Sequence, residues 1–145
     1  MYKIEDKEIL APAIKKIKVK APLIAEKTKP GNFIILRVNE KGERIPLTIA
    51  DYEKETGLVT IIFQEVGHTT KELGTLEKGD YIRDIVGPLG NPIEIEGYEK
   101  VVCIGGGSGT ALLYPKVKAF YKEDSEVITI TGARNKELII MEEEL

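Results

Sequence analysis

The 145-residue chain has a single cysteine, a single histidine and no tryptophan. One cysteine excludes an internal disulfide and any metal cluster held by cysteines of this chain. One histidine excludes a histidine-rich metal site and a mechanism that needs a pair of histidines. Cys103 lies in an apolar run and is expected in the core, and His68 is expected in a loop. No metal site is therefore predicted.

Long apolar runs and a dominant charge of one sign are also missing. No run approaches the length of a membrane span, and the first residues do not resemble a signal peptide, so a cytoplasmic location is expected. The net charge is −3 with scattered lysines and arginines, which does not give the basic stripe of a nucleic-acid-binding protein. The sequence thus predicts neither a membrane nor a nucleic-acid partner.

The distribution of short apolar segments changes near residue 97. Before it, about six short strand patterns occur at regular spacing with one short helix, which is typical of a small antiparallel barrel or sandwich. After it, the order strand, glycine-rich turn, helix, strand is the first unit of a parallel doubly wound sheet. We predict an all-β antiparallel Greek-key barrel at residues 1–97, followed by a partial α/β nucleotide-binding domain, a truncated parallel sheet, at 98–145. The predicted strands cover residues 2–9, 13–20, 33–38, 44–51, 58–66, 81–86, 100–104 and 126–131, and the predicted helices cover 69–76 and 112–121.

A glycine-rich turn at 105–109 follows an apolar strand and precedes a helix. In that context glycines let the backbone approach a diphosphate, and the helix start supplies free N–H groups. Gly107 and Gly109 fit the first two positions of the dinucleotide-binding motif G-x-G-x-x-G, but the third position falls on Leu112. Nucleotide binding is the favoured interpretation, and a tight turn without a ligand is the alternative. The candidate residues are Gly105, Gly106, Gly107 and Gly109.

The stretch 44–51 combines a cation, a proline and a hydroxyl within five residues. Because Pro46 has no N–H, its strand must be an edge, a strand start or a place where something other than backbone approaches. The even spacing of Arg44 and Thr48 puts both side chains on one face, where the arginine can bind a phosphate. A flat, phosphate-bearing ligand would fit this strand. From these two residues alone, an ordinary edge-strand arginine is the better interpretation.

A third motif, Gly67-His68-Thr69-Thr70, follows the most apolar strand pattern. Either threonine can cap the short helix that begins there. The exposed amides at the same helix start can instead hold a phosphate. The stretch alone supports the two interpretations about equally.

The order of these motifs resembles the ferredoxin–NADP reductase superfamily, in which an antiparallel barrel binds FAD and a following α/β domain binds NAD(P). The stretches 44–51, 62–67, 86–90 and 131–138 look most like the small flavin subunit of NADH-dependent ferredoxin:NADP oxidoreductases, also described as a sulfide dehydrogenase subunit. The electron-transfer subunit of dihydroorotate dehydrogenase is a close relative in this resemblance.

The resemblance also implies roles for residues. Thr48 becomes the catalytic candidate, with its hydroxyl near the reactive flavin N5. The superfamily arginine usually lies three residues before this position, where the chain has Ile45, and Arg44 is one residue earlier. Arg134, just past the second parallel strand, is placed where a 2′-phosphate would be met. The implied FAD-binding residues are Arg44, Pro46, Leu47, Thr48, Ile62, Phe63, Gln64, Gly67, Thr69 and Thr70.

The implied activity is hydride transfer from NAD(P)H to FAD and then electron transfer to ferredoxin or a larger flavin/iron–sulfur subunit. The chain departs from the family pattern in its glycine loop, which continues with Ser108, Thr110 and Leu112, and in lacking the cysteines of the family's [2Fe–2S] centre. A two-stranded parallel sheet would leave apolar surface uncovered, so we expect an oligomer or a partner there, and no complete reductase from the chain alone.

Three alternatives stay open at this point. The chain could be a truncated, non-catalytic FAD-binding or assembly module, a dihydroorotate dehydrogenase electron-transfer subunit, or a flavin-free barrel that kept only the fold.

Overall fold

The computed structural model describes all residues from Met1 to Leu145 and contains nine strands and three α-helices. Seven strands form one antiparallel sheet, and the last two form a separate parallel pair. The strands of the large sheet are β1 (Tyr2–Ala11), β2 (Ile14–Lys20), β3 (Phe33–Arg37), β4 (Arg44–Glu53), β5 (Leu58–Gln64), β6 (Tyr81–Ile82) and β7 (Asp84–Leu89). The helices α1 (Pro22–Lys27) and α2 (His68–Thr75) lie in the connections of this sheet.

The strand order β6-β1-β2-β5-β4-β3-β7 gives the sheet its topology. Strands β3, β4 and β5 are consecutive antiparallel neighbours, and β2 lies beside β5, which is a Greek key. Only Arg83 separates β6 from β7, so the two outer strands of the sheet meet and the barrel is nearly closed. The predicted Greek-key barrel is confirmed.

Alternation of apolar and polar residues along the strands fills the barrel. One face of each long strand turns inward, and the other face carries polar and charged residues such as Lys16 and Lys18 of β2. The fully buried aliphatic side chains include Ile4, Ile17, Ile34, Leu36, Ile49 and Ile61, each at most 2% exposed. A core of this kind holds the outward-facing residues of β4 and β5 in fixed positions.

The second part, which we call the parallel unit (residues 100–140), begins after an irregular segment at 90–99. Strands β8 (Lys100–Gly106) and β9 (Glu126–Gly132) are parallel, and a 3-10 turn (Gly107–Leu112) and helix α3 (Tyr114–Lys122) connect them. The helix covers one face of this pair, over Cys103, while the other face exposes aliphatic side chains. These exposed residues are Val102, Ile104, Ile128 and Ile130.

Several element boundaries differ from the sequence prediction. The strand predicted at 81–86 is split at Arg83, whose N–H donates to the carbonyl of Val38 at 3.1 Å as the chain passes between the two outer strands. The helix predicted at 112–121 starts at Tyr114, because the glycine-rich residues before it form a 3-10 turn. Helix α2 starts one residue earlier than predicted, at His68. No helix has the length and hydropathy needed to cross a membrane.

Candidate functional site

Strand β4 is paired on one side only between Arg44 and Thr48, and we call this stretch the open edge. Over these residues it pairs with β3, whereas its pairing with β5 begins at Ile49. The N–H of Ile49 donates to the carbonyl of Asn32, the residue before β3, at 3.1 Å. Since neighbouring residues direct their backbone groups to opposite sides, those of Pro46 and Thr48 face away from β3. Pro46 therefore lies on a real edge, where its missing N–H removes no ladder bond.

The side chains of the open edge alternate between the barrel core and the outside. Ile45 and Leu47 pack against the core, so a ligand outside the barrel would meet Leu47 only through its backbone. Arg44 and Pro46 are exposed and Thr48 is half-buried, all on the outer face. The predicted common face of Arg44 and Thr48 is thus present in the structure.

Arg44 carries the uncompensated positive charge of this region. It lies directly opposite Arg37 across the β3–β4 pair. Arg37 is neutralised by an ion pair with Asp84, whereas Arg44 has no carboxylate partner. Two guanidinium groups on facing positions repel each other, so an anion beside Arg44 would be favoured.

The start of helix α2 lies just after β5 and presents free backbone donors. The hydroxyl of Thr70 accepts from the N–H groups of Val66 (3.1 Å) and Gly67 (3.0 Å), so Thr70 caps the helix from its third position. Thr69 is buried and makes no cap. The N–H groups of His68, Thr69 and Thr70 have no acceptor within the chain. Such a helix start can bind an anion.

Gly67 lies directly before these free amides. Its φ is −117°, a value that any residue adopts, and a Cβ built there would meet no atom within 4 Å. Neither backbone conformation nor packing within the chain therefore requires a glycine at this position. The open space in front of the α2 amides is what a bound diphosphate would need.

The other end of α2 is held by two lysines. Lys7 and Lys15 each donate to the carbonyl of Gly74 at 2.9 Å. Each also forms an ion pair, Lys7 with Glu77 at 2.6 Å and Lys15 with Glu65 at 2.7 Å. Cations at a helix C-terminus stabilise its partial negative charge. No local pattern predicted these contacts, because the partners lie 50 or more residues apart in sequence.

The three β5 residues that are predicted to contact a flavin lie in different environments. The side chain of Ile62 is buried between the barrel and the parallel unit, with Ala111 and Ile140. Phe63 points into the barrel core, because successive strand residues face opposite sides. Each of these two residues could therefore contribute only backbone atoms to a cofactor outside the barrel. Gln64 is exposed.

The glycine-rich turn follows β8 directly, as predicted, but its glycines differ in what surrounds them. A Cβ on Gly105 would lie 2.7 Å from Leu113 Cδ1 and 3.2 Å from Thr110 Cα, so packing of the turn explains this glycine. Gly107 has a φ of +54°, and neither it nor Gly109 has an atom within 4 Å of an added Cβ. Gly107 and Gly109 thus face open space.

Gly106 pairs with Gly132 at the carboxyl ends of the two parallel strands. Arg134 is exposed just past this pair and lies at the same edge of the sheet as the turn. This edge is where ligands bind in open α/β sheets.

Cys103 has the expected position in the core, under helix α3. Burial raises the pKa of its thiol, and the nearby charge of Lys116 opposes this only in part. The thiol therefore stays protonated near neutral pH and is a poor nucleophile.

Comparison with known proteins identifies relatives of this arrangement. The chain is 48% identical to an uncharacterized protein from the adh 3′ region of Clostridium beijerinckii, over 100% of this chain and 51% of that protein. It is 47% identical to a dihydroorotate dehydrogenase B (NAD(+)) electron transfer subunit homolog of Thermotoga maritima, over 87% of this chain and 45% of that protein. The chain thus spans about half the length of these curated relatives. No protein-family model matches it.

Solved structures also superpose on this chain over nearly its whole length. The NADH-dependent reduced ferredoxin-NADP oxidoreductase contains a chain that superposes with a TM-score of 0.97 at 42% identity, over 100% of this chain and 53% of that one. Phthalate dioxygenase reductase superposes with a TM-score of 0.83 at 17% identity, a likeness that shows the fold alone. The chain therefore has the ferredoxin reductase-like fold and is similar to about half of an electron transfer subunit of the dihydroorotate dehydrogenase B type.

Proposed function

We propose that the barrel binds FAD, with the flavin ring along the open edge of β4 and the diphosphate at the start of α2. The observation that carries this proposal is the pairing of two unusual features. A proline-bearing strand edge without a β5 neighbour occurs together with a helix start whose free amides face open space at Gly67. A flat ring and a dianionic linker are the two parts of a flavin dinucleotide that these features suit.

The residues present fit such a cofactor. Thr48 offers its backbone and its hydroxyl at the open edge, and Gln64 is exposed at the end of β5. Arg44 and the amides of Thr69 and Thr70 supply positive charge and N–H donors for the diphosphate. Bound flavin supplies hydride acceptance and single-electron transfer, and the protein supplies position and electrostatics.

We extend the proposal to the parallel unit, with the boundary between the two domains at residue 97. Gly107 and Gly109 would approach the diphosphate of NAD(P)H, and Arg134 would meet a 2′-phosphate. Electrons would pass between NAD(P)H and ferredoxin or another iron–sulfur protein by way of FAD, in the cytoplasm. The names of the similar proteins support this reading, because they describe an NADH-dependent oxidoreductase and electron transfer subunits.

The exposed aliphatic face of the parallel unit supports a place in a larger assembly. Parallel sheets are normally covered on both faces, whereas Val102 and Ile104 are 54% and 69% exposed. We propose that in the functional protein this face is covered by further polypeptide, either of the same subunit or of a larger flavin/iron–sulfur partner.

A titration of the purified chain with FAD tests the proposal. We expect a 1:1 yellow complex with altered flavin fluorescence. We also expect a spectral response to NADH or NADPH when the polypeptide that we propose to cover the parallel unit is present. Bound FAD without any nicotinamide response would favour a non-catalytic FAD-binding module. A colourless chain that leaves added FAD free in solution would rule out the flavin site.

Replacing Thr48 with valine removes the hydroxyl and keeps the shape. If this hydroxyl contacts the flavin ring, its loss costs about 1 kcal/mol, which weakens binding about fivefold. The effect should be equal for FAD and riboflavin, because the ring is common to both, and Thr48→Ser should retain the wild-type affinities. Equal affinities of the valine variant and wild type for both flavins would contradict the assignment of Thr48.

A further inference from the structure

One ion pair joins the barrel to the parallel unit. Lys118 on α3 donates to both carboxylate oxygens of Asp51 on β4, at 2.9 and 3.3 Å. Every other hydrogen bond and ion pair of the chain lies within residues 1–97 or within residues 98–145, so this pair is the only polar link between the two parts.

The remainder of the contact is apolar. Ala50 and Ile62 of the barrel pack with Ala111 and Ile140 of the parallel unit in a small buried cluster. Apolar contacts of this kind are non-directional, so they hold two surfaces together but permit sliding and rotation. The hydrogen bonds of Lys118 to Asp51 have preferred distances and angles, so they favour one relative position of the two parts.

The environment of Lys118 keeps the pair charged. Burial of the ammonium group opposes its charge, but the hydrogen bond and the negative charge of Asp51 outweigh this effect and raise the pKa of Lys118. The ring of Tyr114, one helical turn earlier, lies 5.5 Å from the same nitrogen. The side chain of Lys118 is 37% exposed and that of Asp51 is 22% exposed, so water screens the pair only in part.

The Lys118–Asp51 pair also links the strand on which we place the flavin to the helix that follows the proposed NAD(P)H-binding turn. Asp51 follows Ala50 at an irregularity in the β4–β5 pairing, three residues after Thr48 on the same strand. Lys118 lies on the helix that follows the glycine-rich turn. A change in the Lys118–Asp51 distance therefore changes the distance between the open edge and that turn.

We propose that Lys118 is a positioning residue, which fixes the orientation of the parallel unit relative to the flavin-bearing edge of the barrel through its ion pair with Asp51. The functional meaning of this orientation rests on the proposed flavin site, but the orientation itself does not. Hydride transfer requires the donor and the acceptor within van der Waals contact, so an error of about 1 Å in this alignment is costly.

Residual dipolar couplings of the flavin-free, 16.1 kDa chain test the proposal. In wild type, the couplings of the barrel and of the parallel unit should fit one common alignment tensor. In Lys118→Met, which keeps the aliphatic stem, the two parts should need different tensors, with the order of the parallel unit reduced about twofold or more. Lys122→Met is the matched control, because Lys122 lies one turn later on the same helix and has no ion pair.

Two rescue variants distinguish the effect of the ion pair from the effect of side-chain packing. Lys118→Arg and the exchanged pair Asp51→Lys with Lys118→Asp should both restore one common tensor. A common tensor in Lys118→Met, or two tensors in both rescue variants, would overturn the proposal. The result is independent of FAD, so failure of the FAD titration would sink the proposed flavin site without affecting this measurement.

Discussion

Replacement of Gly67 by aspartate is expected to weaken FAD binding at least about 100-fold while leaving the fold as stable as wild type or slightly more stable. Gly67 is the N-cap of α2, and an added side chain meets no atom of the chain. Aspartate is a preferred N-cap residue, so the free energy of unfolding should rise by about a few tenths of a kcal/mol. Stability and ligand binding should therefore change in opposite directions.

The loss of binding would come from charge. The new carboxylate would take up the space and the α2 amides that we assign to the FAD diphosphate. Repulsion between two anions a few ångströms apart near a protein surface costs about 3 kcal/mol, which corresponds to roughly 100-fold in affinity. Riboflavin, which lacks the diphosphate, should lose far less affinity than FAD.

Gly67→Asn is the matched control, because asparagine has the size and the capping preference of aspartate without its charge. It should bind FAD clearly more tightly than Gly67→Asp, with a difference that shrinks as salt screens the charges. Fluorescence titrations with FAD and riboflavin, with thermal unfolding in parallel, measure these effects. If the aspartate variant bound FAD as tightly as wild type, the diphosphate could not lie at the start of α2.

The barrel could be predicted because its determinants are local. Alternation of apolar and polar residues locates the strands, and glycine, proline and asparagine locate the turns between them. The missing N–H group of Pro46 limited its strand to an edge, a strand start or a place where something other than backbone approaches, and the structure shows an edge. The glycine-rich turn between two apolar strands likewise predicted the parallel pair that is present.

The features that the sequence did not predict depend on contacts between distant segments. Lys118 and Asp51 are 67 positions apart, and nothing near either residue marks it as a partner of the other. The burial of Ile62 under the parallel unit depends on how the two parts pack, which no strand pattern contains. The strand pattern therefore located Ile62 on β5, but it did not contain what covers the side chain.

Helix α2 has one feature of each kind. Its start bears the proposed diphosphate site, which a local motif indicated, and its end is fixed by Lys7 and Lys15, which are distant in sequence. Lys15→Met is expected to lower the free energy of unfolding by about 2 kcal/mol. The lysine side chain is 17% exposed and that of Glu65 is 19% exposed, so removal of the ammonium leaves a mostly buried carboxylate without its partner. Methionine keeps the packing of the stem, which confines the change to the lost charge and hydrogen bonds.

A double-mutant cycle shows whether this cost belongs to the pair. Glu65→Gln removes the unpaired charge, so the double variant should be more stable than the sum of the two single losses predicts. Lys20→Met, at the exposed end of the same strand, is the control and should change stability by less than about 0.5 kcal/mol. Urea unfolding of wild type, the three variants of the cycle and Lys20→Met measures these stabilities.

The contacts of Lys15 at the end of α2 should also influence the affinity for FAD. When Gly74 loses one of its two lysine contacts, the C-terminal end of α2 is less firmly held and the free amides at its start become less well ordered. FAD affinity in Lys15→Met should therefore fall about threefold to tenfold, less than in Gly67→Asp, whereas riboflavin affinity should stay near wild type. Equal losses for FAD and riboflavin would show instead that the substitution loosens the whole barrel, and that the two lysines stabilise the fold without positioning the diphosphate site.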